Sequence, residues 1–222
     1  TMDPIFDTII KNIPAPVDNS DEPLQFQITM LDWDDYVGRI GVGRIYRGKV
    51  KVSDNITVMK RDGSTQNFRV TKLFGYFGLK RNEIKEAKAG DIIAISGIND
   101  IYVGETIASA EHPEALPLLK IDPPTLQMDF VANDSPFAGR EGDQVTPKKL
   151  EDRLIRQTRT DVSLKVEPTD QLNAWTVSGR GELHLSILVE ELRREGFELQ
   201  LSRPKVIYRE IDGTMCEPFE SV

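Results

Sequence analysis

The stretch Asn173–Ser202, NAWTVSGRGELHLSILVEELRREGFELQLS, contains a strand–turn–helix–strand pattern and decides the fold of the second half of the chain. The segment NAWTVSG has the β-branched and aromatic content of a strand. Two glycines then allow a tight turn, and a helix is predicted over about Glu182 to Glu195. Gly196 stands where helices commonly end in a left-handed residue, and FELQLS is predicted as the next strand. The apolar side chains expected to face the core are Leu185, Leu188, Val189, Leu192, Phe197, Leu199 and Leu201.

The same alternation of helices and strands extends upstream to residue 122. TLQMDFV (125–131) is predicted as a strand, and a glycine-rich loop, ANDSPFAGREGDQV, follows it. Thr146 is a residue type that caps helices, and Pro147 suits the first helical position. The helix is expected to bury Leu150, Leu154 and Ile155. Because VSLKVEP is predicted as another strand, the order is β-α-β-β-α-β, which predicts an α+β ferredoxin-like domain over residues 122–212.

Residues 21–121 have a different pattern, made of short strands with almost no helical periodicity. LQFQITM (24–30) alternates apolar and polar residues, and its apolar members, Leu24, Phe26, Ile28 and Met30, are expected to face a core. Further strands are predicted in VGRIGVGRIYRG, NITVM, NFRVTKLFGYFG, DIIAISGI and around ETIAS. Together they predict a closed antiparallel β-barrel. Gly41 and Gly43 lie within one strand, where glycine marks a bend or the close approach of another backbone.

The two ends of the chain are expected to belong to other units. Residues 1–20 contain a predicted amphipathic helix at 3–13, followed by a polar linker that begins after two prolines. An apolar helix before a linker is typical of the end of a preceding domain, here a GTPase domain by the resemblance described below. Residues 213–222 are expected to begin a following domain. The proline-rich stretch HPEALPLLKIDPP predicts the boundary between residues 121 and 122.

Charge and cysteine content exclude several classes of protein. The 222 residues have a formal net charge of -8, which argues against nucleic-acid binding over the whole surface. The single cysteine allows no internal disulfide, and no apolar run approaches membrane-spanning length. The stretch 39–51 differs from the rest because it contains no acid. Its basic side chains could contact phosphate groups or form a solvated strand surface, and the candidates for phosphate contact are Arg39, Arg44, Arg47 and Lys49.

Patterns that would indicate catalysis are weak. The chain has no GxxxxGK[ST] loop for phosphates, and its two histidines and one cysteine lack the spacing of a metal site. In SGRGELHL, Glu182 could act as an acid or base, or His184 as a proton shuttle. They could equally belong to a helix start, where the charge of Glu182 would stabilise the helix dipole by about 0.3–1 kcal/mol. We favour the structural interpretation, because the sequence places no second ionisable group beside them to complete a catalytic pair.

Several segments resemble translational GTPases, in the same order along the chain. VGRIGVGRIYRGKVKVSDNITV resembles the barrel domain that follows the GTP-binding domain in elongation factors Tu and G. SGRGELHLSILVEELRREGFELQLSRPKVIYRE resembles the third domain of the elongation factor G group. NIPAP, LDWDDYVGRIGVGRI, NDSPFAGREG and RREGFEL are most similar to the TypA/BipA branch, a group of ribosome-associated GTPases. Elongation factor G itself and the tetracycline-protection proteins are alternative branches.

The resemblance implies a β-barrel of the translation-factor type and a ferredoxin-like domain that contact ribosomal RNA and ribosomal proteins in the cytoplasm. It implies that GTP and Mg²⁺ bind in a GTPase domain outside these residues, so no catalytic residue, cofactor or membrane partner is expected here. Candidate contacts with that GTPase domain or with the ribosome are Ser135, Phe137, Arg140 and Arg180. Ribosome assembly, stress response and translation of particular messages are all compatible roles. The alternative class is a stand-alone enzyme that uses Glu182 and His184.

Overall fold

A computed structural model describes residues 2–15, 17–78, 80–98 and 100–219. The chain divides into two compact units. The first contains the residues up to Met30 together with Asp34–Leu118, and the second contains Leu31–Trp33 and the residues from Leu119 onward. The division after Leu118 lies close to the boundary that the proline-rich stretch predicts.

The first unit begins with a helix, α1 (Asp3–Asn12), which has Pro4 in its first turn. This confirms the predicted helix, while its assignment to a preceding domain stays a prediction. The apolar side chains of α1 are exposed, among them Ile5, Phe6, Ile9 and Ile10. The strands that follow are β1 (Gln25–Asp34), β2 (Gly38–Arg47), β3 (Lys49–Lys51), β4 (Asn55–Met59), β5 (Thr65–Arg69), β6 (Lys72–Phe77), β7 (Lys80–Glu83), β8 (Glu86–Lys88), β9 (Ile92–Ser96) and β10 (Thr106–Ser109).

Eight of these strands form one antiparallel sheet in the order β5-β4-β10-β1-β2-β9-β6-β7, and β3 pairs with β8. Successive side chains of a strand point to opposite faces, so one face of the sheet can fill an interior. The fully buried side chains include Phe26, Ile28, Ile45, Leu73, Ile93, Ile95 and Ile107. The antiparallel β-barrel class predicted for this half of the chain is confirmed.

Gly43 allows β1 and β2 to approach closely. A Cβ atom at this position would lie 1.8 Å from the carbonyl oxygen of Gln27, far inside van der Waals contact. Gly41 is less constrained, because a Cβ there would meet only side chains, at 3.0 Å from Ile101 and 3.2 Å from Ile28. The prediction that a glycine in this strand marks the close approach of another backbone is confirmed at Gly43.

The alternation predicted for β1 is only partly correct. Phe26 and Ile28 are buried as expected, but Gln25 and Gln27 are buried as well, and Met30 is exposed. The glutamines are buried because Gln27 Nε2 donates to the Pro117 carbonyl at 2.8 Å and Gln25 Nε2 donates to the Glu114 carbonyl at 3.2 Å. The proline-rich segment after β10 therefore covers the polar side of β1. The inward position predicted for Met30 is wrong.

The second unit contains the alternating elements predicted for it. Its strands and helices are β11 (Leu126–Ala132), α2 (Pro147–Thr158), β12 (Lys165–Pro168), β13 (Ala174–Gly179), α3 (Glu182–Arg194), β14 (Leu199–Leu201), β15 (Lys205–Val206), β16 (Arg209–Ile211) and β17 (Thr214–Cys216). Pro147 lies in the first turn of α2, and Gly196, after α3, has a positive φ of 85°. Both local predictions are confirmed, although the Thr146 side chain makes no capping hydrogen bond.

The sheet of this unit has the order β12-β13-β11-β14, with β15 also paired to β11. The first and third strands of the β-α-β-β-α-β pattern are therefore central, which is the ferredoxin-like arrangement that the sequence predicts. The helices pack their apolar stripes on this sheet, and the buried cluster consists of Phe130, Ala132, Leu150, Leu154, Leu164, Trp175, Val177, Leu185, Leu188 and Leu192. Val189, Phe197 and Leu199 pack against it while partly exposed.

Two residues predicted to be buried are exposed, Ile155 on α2 and Leu201 at the end of β14. Ile155 follows the fully buried Leu154, and one helical step turns a side chain by about 100° away from the core. Leu201 ends a three-residue strand at the edge of the sheet, which pairs with β11 and, in the described part of the chain, has no strand on its other side. The predictions for these two residues are wrong.

The last described element is the hairpin formed by β16 and β17, with Ile211 paired to Thr214. The predicted boundary between residues 212 and 213 coincides with the turn of this hairpin and so divides two paired strands. Residues 220–222 of the predicted following unit lie outside the described residues. In the part of the chain that the structure describes, no helix has the length and hydrophobicity needed to cross a membrane.

Candidate functional site

The basic residues of the stretch 39–51 do not form one surface. Side chains alternate along β2, so Arg39 and Arg47 lie on the side opposite to Arg44. Arg39 donates from Nη1 to the Ile101 carbonyl at 3.1 Å, and its guanidinium lies 5.5 Å from the centre of the Tyr102 ring. Arg39 therefore binds to a loop of its own unit.

Arg47 and Lys49 are both neutralised by acids of the first unit. Arg47 forms ion pairs with the carboxylates of Glu114 and, at 3.8 Å, Glu22. Lys49 Nζ lies 2.9 Å from an Asp21 carboxylate oxygen, and this hydrogen bond raises the pKa of the lysine. Charges that are already paired contribute less to the attraction of a phosphate group.

Arg44 differs from the other three basic candidates. It is exposed on the outer face of the sheet, with its guanidinium 5.8 Å from the centre of the Tyr46 ring. Among the described residues no carboxylate forms an ion pair with it. Of the four predicted phosphate contacts, Arg44 is thus the one whose charge is available to a partner. The binding roles themselves stay predictions.

The loop from Ser135 to Gly142 is held by the carboxylate of Glu198. Gly139 N–H and Gly142 N–H each donate to this carboxylate at 2.8 Å, and the Glu141 N–H donates as well. Asn133 Nδ2 adds a fourth hydrogen bond at 3.0 Å. The backbone N–H groups, Gly139 first, lower the pKa of Glu198 to about 2, because hydrogen bonds to a carboxylate favour its ionised form. An otherwise irregular loop therefore has a defined conformation.

Two of the predicted contact residues lie together on this loop. Phe137 is exposed, and the Arg140 guanidinium lies 4.6 Å from the centre of its ring. Both line an open groove of about 870 Å³, to which α3 contributes Arg193 and Arg194. Ser135 has a structural position at the start of the loop, where its N–H donates to Asn133 Oδ1 at 3.1 Å.

Arg180 lies far from this loop. Arg180 comes directly after β13, whose last residue, Gly179, pairs with Leu126 at the start of β11. The loop comes after Ala132, at the other end of β11. A strand of that length spans about 20 Å at about 3.3 Å per residue. The four predicted contact residues are therefore divided between two ends of the sheet.

His184 has an ionisable partner that the sequence analysis missed. Its Nε2 lies 2.6 Å from Asp161 Oδ2, and its Nδ1 accepts a hydrogen bond from the Arg180 N–H at 3.2 Å. Asp161 is in turn held by the Ser163 N–H at 3.0 Å. Because β12 and β13 separate the aspartate from the histidine in sequence, no local pattern could have paired them.

The geometry at His184 favours a structural role over acid–base catalysis. With Nδ1 accepting from a backbone N–H and Nε2 bonded to Asp161, both ring nitrogens are occupied within the fold. A general base needs a nitrogen within hydrogen-bond reach of a substrate proton. Glu182 is exposed in the first turn of α3, as expected for a charge at a helix N-terminus. Among the described residues no three His, Cys, Asp or Glu side chains are placed to hold a metal ion.

Known proteins match both units in the same order. Residues 38–108 match the family model of elongation factor Tu domain 2, and residues 141–203 match that of elongation factor G, domain III. A crystal structure of a protein from Thermus thermophilus superposes with a TM-score of 0.61 and 25% sequence identity. The superposition covers 93% of this chain and 30% of that one.

Relatives called "Large ribosomal subunit assembly factor BipA" match along nearly the whole chain. The protein of Bacillus subtilis (strain 168) is 62% identical over 221 residues, that of a Synechocystis strain 50% over 219 residues, and that of Escherichia coli (strain K12) 49% over 221 residues. These matches cover 99–100% of this chain but only 36–37% of the relatives. The chain is thus similar to about a third of the length of these BipA relatives, a stretch with a domain like elongation factor Tu domain 2 followed by one like elongation factor G domain III.

Proposed function

We propose that this chain is the ribosome-docking part of a BipA-type GTPase that acts in the cytoplasm. In this proposal a GTPase domain of the longer protein binds GTP and Mg²⁺, and the barrel and ferredoxin-like units dock on the large ribosomal subunit. The observation that carries the proposal is the end-to-end match, at 49–62% identity, with proteins named large ribosomal subunit assembly factors.

The chemistry of the described residues supports docking rather than catalysis in this chain. The pair of His184 and Asp161 is satisfied within the fold, and the sequence has no phosphate-binding glycine loop. Two surfaces are available for docking. One is the exposed Arg44 on the barrel, and the other is the ordered loop that presents Phe137 and Arg140.

In this proposal the two units also relay the nucleotide state of the GTPase domain to the ribosome, and such a relay needs surfaces that keep their shape. A loop whose backbone donates three N–H groups to one carboxylate is preorganised, so a partner does not have to order it on binding. We therefore assign to this loop, through Phe137 and Arg140, the contact with the GTPase domain or with a ribosomal component.

Co-sedimentation with purified large ribosomal subunits tests the proposal. The 222-residue chain should bind them saturably, and small subunits less well. Arg44→Ala should weaken binding. It should also reduce the slope of log K against log salt concentration by about one released counterion. Arg203→Ala, an exposed arginine of the other unit that lies outside the groove of Phe137 and Arg140, is the matched control and should leave both quantities nearly unchanged.

The longer protein provides a second readout. Its intrinsic GTP hydrolysis should survive Arg44→Ala, because the change removes a docking charge and no reacting group. Failure of the chain to sediment with large subunits even at low salt, where phosphate contacts are strongest, contradicts the proposal.

A further inference from the structure

Strand register brings aromatic and basic side chains into one row on the outer face of the barrel sheet. Arg44 on β2 pairs with Ile92 on β9, and Gly75 on β6 pairs with Ile93. One step beyond that last pair, Tyr76 lies beside Ile92. Tyr76 is itself paired with Arg81 on β7. The row thus crosses four neighbouring strands.

Tyr46 extends the row, because it lies two residues after Arg44 and so on the same face of β2. We call Arg44, Tyr46, Tyr76 and Ile92 the outer-sheet patch. Their side chains are accessible: Tyr46 is 44% exposed, Tyr76 38% and Ile92 61%.

A neighbouring part of this sheet face is covered. Further along the same strands Ile40, Val42 and Ala94 form a buried cluster with Val37 and Phe74 packed against it. The outer-sheet patch is therefore the open continuation of a covered part of the same face. Scattered apolar residues on a surface are normal, but two tyrosines, an isoleucine and an arginine in one register row form a contiguous patch.

The charge of the patch is positive on a chain whose net charge is -8. Arg44 has no ion pair among the described residues, and its guanidinium faces the Tyr46 ring. Arg81, at the β7 end of the row, lies 3.6 Å from an Asp34 carboxylate oxygen and 4.9 Å from the centre of the Phe74 ring. The cation available to a partner is thus Arg44, which lies against Tyr46 and in the same row as Tyr76.

We propose that the outer-sheet patch binds an unpaired segment of RNA, with bases stacked on Tyr46 and Tyr76 and a phosphate held by Arg44. Aromatic rings on an exposed sheet stack on single-stranded bases, and arginine binds phosphate oxygens through two hydrogen bonds. Two strand spacings, about 10 Å, separate β2 from β6, which leaves room for a base on each ring.

A polypeptide partner fits this patch less well. Extended peptides bind by pairing with a free strand edge, and β2, β9 and β6 are each paired on both sides. The sheet face therefore offers ring faces and a charge rather than backbone donors and acceptors. The proposal rests on the proposed function in that a ribosomal particle would supply the unpaired RNA.

Fluorescence anisotropy of a labelled ten-nucleotide oligouridylate, titrated with the 222-residue chain, tests the patch. Tyr46→Ala and Tyr76→Ala should each raise Kd about 5- to 100-fold, and Arg44→Ala should reduce the salt slope by about 0.7. Tyr36→Ala is the matched control, since Tyr36 is 98% exposed but lies outside the row, and it should change Kd less than about twofold. Tyr76→Phe, which keeps the ring, should retain binding.

Competition and folding measurements complete the experiment. Thermal unfolding should show that each variant has the melting temperature of the parent within a few degrees. Unchanged Kd in both tyrosine-to-alanine variants overturns the proposal. Equal competition by polyglutamate also overturns it, because the patch would then bind acidic polypeptides or any polyanion.

Sedimentation with large ribosomal subunits separates this proposal from the proposed function. If the parent chain binds the oligonucleotide through Tyr46 and Tyr76 but does not bind the subunits, the patch stands and the docking role fails. If the chain binds the subunits and the tyrosine variants bind the oligonucleotide like the parent, docking stands and the patch fails.

Discussion

His184 Nε2 and Asp161 Oδ2 lie 2.6 Å apart and connect the first turn of α3 to the turn that follows α2. The same imidazole accepts the Arg180 N–H, so the histidine joins three parts of the ferredoxin-like unit. The conspicuous GRGELHL segment is thereby explained by packing geometry. Gly179 leaves room for Leu185 and His184, whose side-chain atoms would lie 2.9 and 3.1 Å from a Cβ atom there, and the histidine holds the turn in place.

Asp161→Ala should lower the free energy of unfolding of the ferredoxin-like unit by about 1–3 kcal/mol, because it leaves His184 and the Ser163 N–H without their partner. Urea denaturation followed by tryptophan fluorescence measures this loss. Glu182→Gln, an exposed change in the same segment, should cost less than about 0.5 kcal/mol. A chain with Asp161→Ala that unfolds at the urea concentration of the parent would show that the pair has no structural role.

Glu198→Gln should loosen the loop from Ser135 to Gly142. The charged acceptor of several backbone N–H groups is removed, so hydrogen exchange at Gly139 and Gly142 should accelerate about tenfold. Glu141→Gln is the control, because it changes an exposed side chain and keeps the backbone N–H that donates to Glu198. Equal exchange rates in the parent and in Glu198→Gln would mean that the carboxylate does not order the loop.

The pH dependence of the same loop follows from the lowered pKa of Glu198. The pKa in the folded state is about 2, below the ordinary value of 4.5, so the stabilisation comes from the ionised form. It is fully present above about pH 4.5 and is lost as the pH falls toward 2. Exchange at Gly139, corrected for intrinsic rates, should therefore rise over that window in the parent and stay flat in Glu198→Gln.

Gly43→Ala should destabilise the barrel unit by at least about 3 kcal/mol, because the new methyl group meets the Gln27 backbone, which cannot move without separating two strands. Gly41→Ala is the matched comparison in the same strand. Its methyl group meets only flexible side chains, and about 1–2 kcal/mol is expected. Equal melting temperatures for the two variants would contradict the close approach of β1 and β2.

Predictions that depend on interactions between residues close in sequence were more accurate than those that depend on distant residues. Helix ends, turns and the order of elements were predicted because glycine, proline and apolar periodicity act within a few residues. The two glutamines of β1 are buried, against the predicted alternation, because a segment about 90 residues later in the chain covers them. Alternation in a strand says which residues share a face, but not what packs on each face.

The candidate site was predicted less completely than the fold. Arg39, Arg44, Arg47 and Lys49 are neighbours in sequence, yet three of them are engaged by a carbonyl or carboxylate of the same unit. The acids that neutralise Arg47 and Lys49 come from segments before β1 and after β10. Only strand pairing brings Arg44 and Tyr76 into one row, on either side of Ile92, although the sequence analysis treated Tyr76 only as part of a strand.

By itself the sequence determined the two-part architecture, a barrel followed by a ferredoxin-like unit, because hydrophobic periodicity and turn residues are local properties. The tertiary structure alone decided which charges are neutralised, that His184 has Asp161 as its partner, and which aromatic rings share one face of the sheet. Those relationships join residues that are distant in the chain. They depend on strand register and on the packing of loops, which no short stretch of sequence encodes.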